Sequence, residues 1–191
     1  MVRRGKPLRA SSKSTTDVGS AAAGAPGSIW SAGPRVKKGR SFKERLVREG
    51  SAHAALVFDG DAAVAWCQYG SPDKLPNIHH RKEYEATRTD ELPDYRITCI
   101  FVDRDHRRNG VAGVALRGAL DLIAKAGGGV VEGYPHDLQH GEKMRSQFLY
   151  NTTRSLYEKT GFSYDRPKGK KNCVMRTTVA PVKASRKASV A

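Results

Sequence analysis

The chain has 191 residues, 38% of them hydrophobic, with a formal net charge of +15 and three cysteines. That length fits one domain plus tails, and no apolar run approaches the roughly 18 residues of a membrane span. Cys67, Cys99 and Cys173 lie in apolar, strand-like stretches without CxxC spacing, which argues for reduced thiols and against a disulfide framework or a zinc site.

Charge is unevenly spread. Residues 1–40 carry nine Lys/Arg and one Asp, and residues 181–191 carry three Lys/Arg and no acid. The two ends therefore hold +8 and +3, leaving +4 for residues 41–180. Both ends are rich in Ser, Ala, Gly and basic residues without an apolar period, so neither buries enough surface to offset its ordering entropy; both are expected to be disordered. Such tails solubilise a protein or attach it loosely to polyanions, and nucleic acid is a possible partner only through them. The N-terminus has basic residues but no apolar h-region, so a secretory signal is not expected and cytoplasm is the default.

From residue 41 the elements follow in order. Ser41 to Glu49 places Phe42, Leu46 and Val47 on one helical face, and Gly50 is a stop signal. His53 to Phe58 and Ala62 to Tyr69 read as a β-hairpin turning at Asp59, Gly60 and Asp61. Residues 71–95 are polar and proline-marked, a loop with a short helix around Arg81 to Arg88. Next comes a β-branched strand, Ile97 to Val102, then a polar turn and a helix. Ala112, Leu116, Ala119, Leu120 and Ile123 share that helix's inner face, with Arg117, Asp121 and Lys125 outside. Gly127, Gly128 and Gly129 end it before a strand from Val130 to Tyr134. A polar loop reaches Gln147, a helix spans Phe148 to Lys159, and two closing strands, Phe162 to Asp165 and Cys173 to Val179, flank PKGKK. The order predicts a three-layer α/β arrangement around a mixed sheet.

The strand–turn–helix unit carries the chemistry. Its turn ends in Arg107, Arg108, Asn109, Gly110, Val111 and Ala112. A basic, glycine-containing turn at a helix N-terminus gathers free backbone N–H groups and the positive end of the helix dipole, which suits an anionic phosphate group. A phosphate-bearing cofactor is expected.

RRNGVA, Arg107 to Ala112, fits the R/Q-x-x-G-x-G/A signature of the GNAT superfamily of N-acetyltransferases, and the chain resembles that family there. SLYEKTGF, Ser155 to Phe162, is similar to the family's helix ending in Y-x-x-x-G-F, and VFDGDAAVAWCQYG is similar to its second and third strands. The resemblance covers residues 41–180. It implies an α/β (α+β) fold with a mixed, mostly antiparallel sheet, a splayed parallel pair and helices on both faces. It also implies a strand ahead of the hairpin, for which residues 1–40 offer only SIWSAG, Ser28 to Gly33.

The resemblance further implies direct acetyl transfer from acetyl-CoA to a primary amine, with no acyl-enzyme and no metal. The pantetheine arm would pair with backbone groups of Phe101 and Val102, between Ile97–Val102 and Val130–Tyr134. The pyrophosphate would rest on N–H groups from Arg108 to Ala112, with charge from Arg107 and Arg108. Tyr157 holds the position of the proton donor to the departing thiolate, a role that suits a phenol of unperturbed pKa about 10. Asn151 is placed to bond the pantetheine arm or to serve as a helix N-cap. A backbone N–H near Val102 would polarise the thioester oxygen.

The residues leave the base and the acceptor open. Glu132 and Asp94 can face the cleft or serve as structural carboxylates. His136 and His140 stand four apart, a metal-ligand spacing on a helix, but in a loop they read as solvated, as do His79 and His80. A small amine, an aminoglycoside-like antibiotic, a peptide N-terminus and a protein lysine all remain open as acceptor. The alternative reading is a non-catalytic acyl-CoA-binding module whose basic tails engage a polyanion.

Overall fold

A computed structural model describes residues 9–11, 45, 48–50, 52–88, 91–138 and 150–182. Seven strands form one sheet in the order β1-β2-β3-β4-β5-β7-β6. They are β1 (Arg9–Ser11), β2 (His53–Asp59), β3 (Ala62–Gly70), β4 (Tyr95–Val102), β5 (Gly129–Gly133), β6 (Ser163–Pro167) and β7 (Cys173–Val179). The helices α1 (Arg81–Thr87), α2 (Val111–Lys125) and α3 (Arg154–Glu158) accompany them. Neighbouring strands are antiparallel except β4 and β5, which run parallel. A parallel pair needs a crossover, and α2 supplies it.

The alternation of β5 separates two faces. Val131 joins the main core with Val111, Ala115, Leu116, Ala119 and Ile123 of α2, Tyr157 of α3, and Cys67, Ile97 and Met175 of the sheet. Leu116 and Ile123 are fully buried there, so truncating either to Ala would cost about 2–5 kcal/mol. Glu132 points the other way and meets Tyr84 of α1. Helices thus cover both faces. Arg117, Asp121 and Lys125 lie exposed on the outer side of α2, as its period requires.

Two expectations change. Within the segment expected to be disordered, Arg9–Ser11 pair with Leu56–Phe58 as an edge strand. Main-chain pairing along an existing sheet edge needs no apolar period, so composition gave no warning of it. SIWSAG and the remainder of both tails lie outside the described residues, as does most of Ser41 to Glu49. The last helix is shorter than its expected span, Phe148 to Lys159. Thr152 has φ 59, in the left-handed region, and Thr153 is the N-cap, so α3 begins only at Arg154.

The face under α1 encloses a buried polar cluster. Glu132 Oε2 accepts from Tyr84 Oη at 2.9 Å and Tyr134 Oη at 3.0 Å. The Arg96 and Arg166 guanidiniums each lie about 5 Å from the centre of the Tyr84 ring. Lys168 is 1% exposed, donates to the His79 carbonyl and sits over the Tyr134 ring at 4.8 Å. Burial, only partly offset by the Glu83 carboxylate, lowers its ammonium from 10.5 to about 8.

That shift gives a test of sign as well as size. Between about pH 8 and 10.5 the unfolded chain holds the Lys168 proton and the folded chain does not, so this group's contribution to stability rises with pH there. Wild type should therefore gain on the order of 1–2 kcal/mol relative to Lys168→Met between pH 7 and pH 9.5. Urea unfolding at the two pH values measures the gap; an unchanged gap would place the ammonium in solvent.

Candidate active site

β4 and β5 are hydrogen-bonded neighbours only as far as Ile97↔Gly133. Beyond that register β4 runs on to Val102, while the chain after β5 turns away through Tyr134 and Pro135. The β3–β4 register also slips here: Tyr69 pairs with Ile97 and Gln68 with Cys99, leaving Thr98 as the extra residue. A bulge beside parting strands adds twist and opens a crevice at the carboxyl end of the parallel pair.

At the far end of β4 the turn expected to hold phosphate is built. Asp103 accepts from the Asp105 N–H at 3.0 Å and starts a single 3-10 turn, Arg104–His106. The His106 ring reaches Asp59 at 3.3 Å and Asp103 at 3.5 Å, tying the turn to the β2–β3 hairpin. Arg108 (φ 64) and Gly110 (φ 75) are both left-handed, with Gly110 as the N-cap of α2. Gly110 suits that conformation, and the backbone N–H groups around two such residues converge on one side. Among the described residues no backbone carbonyl accepts from the N–H groups of Arg108, Asn109, Gly110, Val111 or Ala112. Arg108, Asn109 and Gly110 are exposed, Val111 is buried and Ala112 half-buried. The five donors remain at the positive end of a 15-residue helix.

Two predicted contacts are redistributed. Arg107 stays exposed while its Nε donates to the Val102 carbonyl at 3.1 Å, so it locks the end of β4. The Ile100 N–H faces the crevice, and strand alternation then turns the Phe101 backbone toward β3, where Phe101 pairs and stacks with Trp66. Ile100 and Val102, rather than Phe101 and Val102, present main-chain groups to the open side. Sequence spacing alone could not supply this, because the bulge at Thr98 shifts the phase by one residue.

Tyr157 sits at the base of the crevice. Its ring is fully buried, packs edge-on against Phe162 at 4.9 Å and lies directly over Gly133. Burial raises its hydroxyl well above the ordinary phenol range, with further upward pushes from Cys67, Cys99 and Cys173. Its oxygen has no hydrogen-bond partner among the described residues, and the same holds for Asn151 Oδ1 and Thr152 Oγ1. Buried polar atoms normally find partners, so three orphans at one crevice mark a place shaped for a polar ligand. Asn151 is 5% exposed in the turn before α3, and it is not the N-cap.

The two candidate bases are engaged elsewhere. Asp94 Oδ2 accepts from the Val130 N–H at 2.7 Å and fastens the start of β5. Glu132 belongs to the buried cluster on the opposite face from Tyr157. His136 is buried, contrary to expectation, because its main chain bridges Thr153 and Asn172. His140 lies outside the described residues, and no group of three or more metal-ligating side chains occurs among the described ones. No described helix is long and apolar enough to cross a membrane.

These features belong together in one known architecture. Over 80% of its length the chain is similar to an acetyltransferase of the GNAT family from Desulfovibrio desulfuricans, covering 87% of that chain at 16% identity and a TM-score of 0.50. Acetyltransferases from Thermus thermophilus (14% identity, 78% and 79% covered, TM-score 0.44) and Thermoplasma acidophilum (14%, 75% and 74%, 0.45) are more distant matches. No family model matches the sequence, and no curated protein matches it. The protein has the GNAT fold.

Sequence reasoning missed Gly133. A Cβ built there would lie 2.1 Å from Tyr157 Cε1 and 2.9 Å from its hydroxyl oxygen. The only signal was a glycine interrupting an apolar strand, which marks a close approach. Gly133→Ala should lose about 1–3 kcal/mol in urea unfolding. A double-mutant cycle with Tyr157→Leu should recover most of that loss. Full additivity would show that the two residues do not meet.

Proposed function

We propose that the protein is an acetyl-CoA-dependent N-acetyltransferase acting on a primary amine. The observation that carries this reading is the buried Tyr157 hydroxyl at the parting of β4 and β5, without a partner among the described residues, together with a helix N-terminus whose first N–H groups meet no backbone carbonyl among those residues. The residues fit the cosubstrate at both ends. N–H groups from Arg108 to Ala112 would take the pyrophosphate, with the Arg108 charge beside them. Main-chain groups of Ile100 and Val102 and the Asn151 amide would take the amides of the pantetheine arm.

In the reaction the neutral amine attacks the thioester carbonyl carbon, and the carbon–sulfur bond breaks. The sulfur leaves as thiolate and takes the Tyr157 proton. The amine's own proton leaves through water, which returns a proton to the Tyr157 phenolate, since Asp94 and Glu132 both serve structural bonds. A phenol with a raised pKa stays protonated across the physiological range, and it donates only as thiolate charge develops. Acetyl transfer to a panel of amines, followed as free thiol and as an acetylated product by mass spectrometry, tests the assignment.

Two variants separate chemistry from binding. Tyr157→Phe should lower turnover roughly 100-fold or more while leaving CoA affinity unchanged. Gly110→Val should weaken CoA binding about tenfold or more by calorimetry, because a β-branched residue resists φ 75. Unchanged turnover in Tyr157→Phe would remove the tyrosine from the chemistry.

A further inference from the structure

The crevice between β4 and β5 is not empty of protein. The Tyr150 carbonyl accepts from the Ile100 N–H at 2.7 Å, occupying a main-chain donor on the edge of β4 that β5 has vacated. Two residues on, the Thr152 carbonyl accepts from the His136 N–H at 3.0 Å, and the Arg154 N–H donates to the His136 carbonyl at 2.9 Å. Tyr150, Asn151 and Thr152 therefore span the gap, fastened to β4 on one side and to the continuation of β5 on the other.

The span is held under strain. Thr152 adopts φ 59, a left-handed conformation that β-branched residues resist. It also buries the Asn151 and Thr152 side-chain oxygens without partners among the described residues. Each is a local cost, and removal of the Tyr150 carbonyl from Ile100 would relieve the first. The closed span is thus a state that a competing ligand can displace.

We propose that Tyr150–Thr152 forms a strap that closes the cosubstrate crevice in the ligand-free protein and is displaced from Ile100 when the pantetheine arm of CoA enters. The proposal rests on the acetyl-CoA reading. An incoming pantetheine carbonyl takes over the Ile100 N–H, so one hydrogen bond replaces another and the strain at Thr152 is released. The His136 bonds keep the far end of the strap anchored while its near end moves. The occluded fraction reduces the apparent affinity for CoA in proportion, which makes the residue at position 152 a control on binding without contact to the reacting atoms.

Substitutions at Thr152 should separate by whether they relieve the strain. Thr152→Gly makes the left-handed conformation comfortable, holds the strap closed and weakens CoA binding roughly fivefold. Thr152→Ile keeps the β-branched conflict with that conformation, so it should bind CoA as tightly and as fast as wild type. Stopped-flow mixing with CoA should give an observed rate that saturates in wild type, with a lower plateau in Thr152→Gly. In the ligand-free proteins, hydrogen exchange at the Ile100 amide should slow in Thr152→Gly and stay near the wild-type rate in Thr152→Ile.

A rate rising linearly with CoA concentration, or a Thr152→Gly variant that binds as tightly as wild type, would overturn the strap while leaving the acetyl-CoA reading intact. Equal weakening in both variants would mark Thr152 as a structural residue only and would also overturn it. Absence of CoA binding in wild type and in both variants would overturn the acetyl-CoA reading and the gate together, even if exchange at Ile100 followed the predicted order.

Discussion

The parting of β4 from β5 after Ile97↔Gly133 is the constraint on which the rest of the site depends. A sheet satisfies its backbone groups by lateral pairing, and any strand that loses its neighbour must find other partners. Here the open stretch of β4 meets Tyr150 at Ile100 and Arg107 at Val102. The same parting gives Tyr157 its berth, since the ring lies against the backbone of Gly133, the last residue of β5. One interruption in a ladder thus creates an edge, a cavity wall and a place for a buried hydroxyl.

The two faces of the sheet have divided the work at that interruption. One is apolar, with α2 packed on Ile97, Val131 and Met175, and it fixes the direction in which α2 presents its N-terminus. The other carries Glu132 with two tyrosines and two arginines about it. A buried carboxylate with two phenol donors is costly to disturb, because removing one partner leaves charge without compensation. Since Glu132 and Gly133 are consecutive, the polar cluster anchors β5 immediately beside the residue on which Tyr157 rests. Rigidity on one face therefore sets precision on the other.

Much of this was legible in the sequence, for reasons that differ between elements. The hairpin, α2 and β7 are visible because their apolar periods match what they bury; Cys173 to Val179 is predicted to the residue. The turn before α2 is visible because it needs Gly110 and a helix start, both local properties. The edge strand Arg9–Ser11 is held by main-chain bonds to β2, which no side-chain pattern encodes. The start of α3 was misplaced because the break at Thr152 is a backbone state, and threonine does not advertise it. Ile100 rather than Phe101 faces outward because the bulge at Thr98 changes which main-chain groups do. Each miss concerns the backbone rather than the side chains, and the last two fall at the crevice, where local preference is overruled by what the parting strands require.

The opposition between strand and strap has a chemical logic. A β-edge that accepts an extended ligand through main-chain bonds is equally able to accept an extended stretch of its own chain. An open edge of a few residues, buried on both faces, would leave N–H and C=O groups unsatisfied at about 1–3 kcal/mol each. Occupying it with Tyr150 removes that penalty, but only if the occupant is weaker than the ligand it anticipates. A left-handed threonine and two orphaned side-chain oxygens are what such a deliberate weakness looks like at the level of atoms. A strap relaxed throughout would compete too well, and a crevice with no strap would leave the same backbone groups unsatisfied. The strain at Thr152 sits between those limits, and it follows from the same lost pairing that made the crevice.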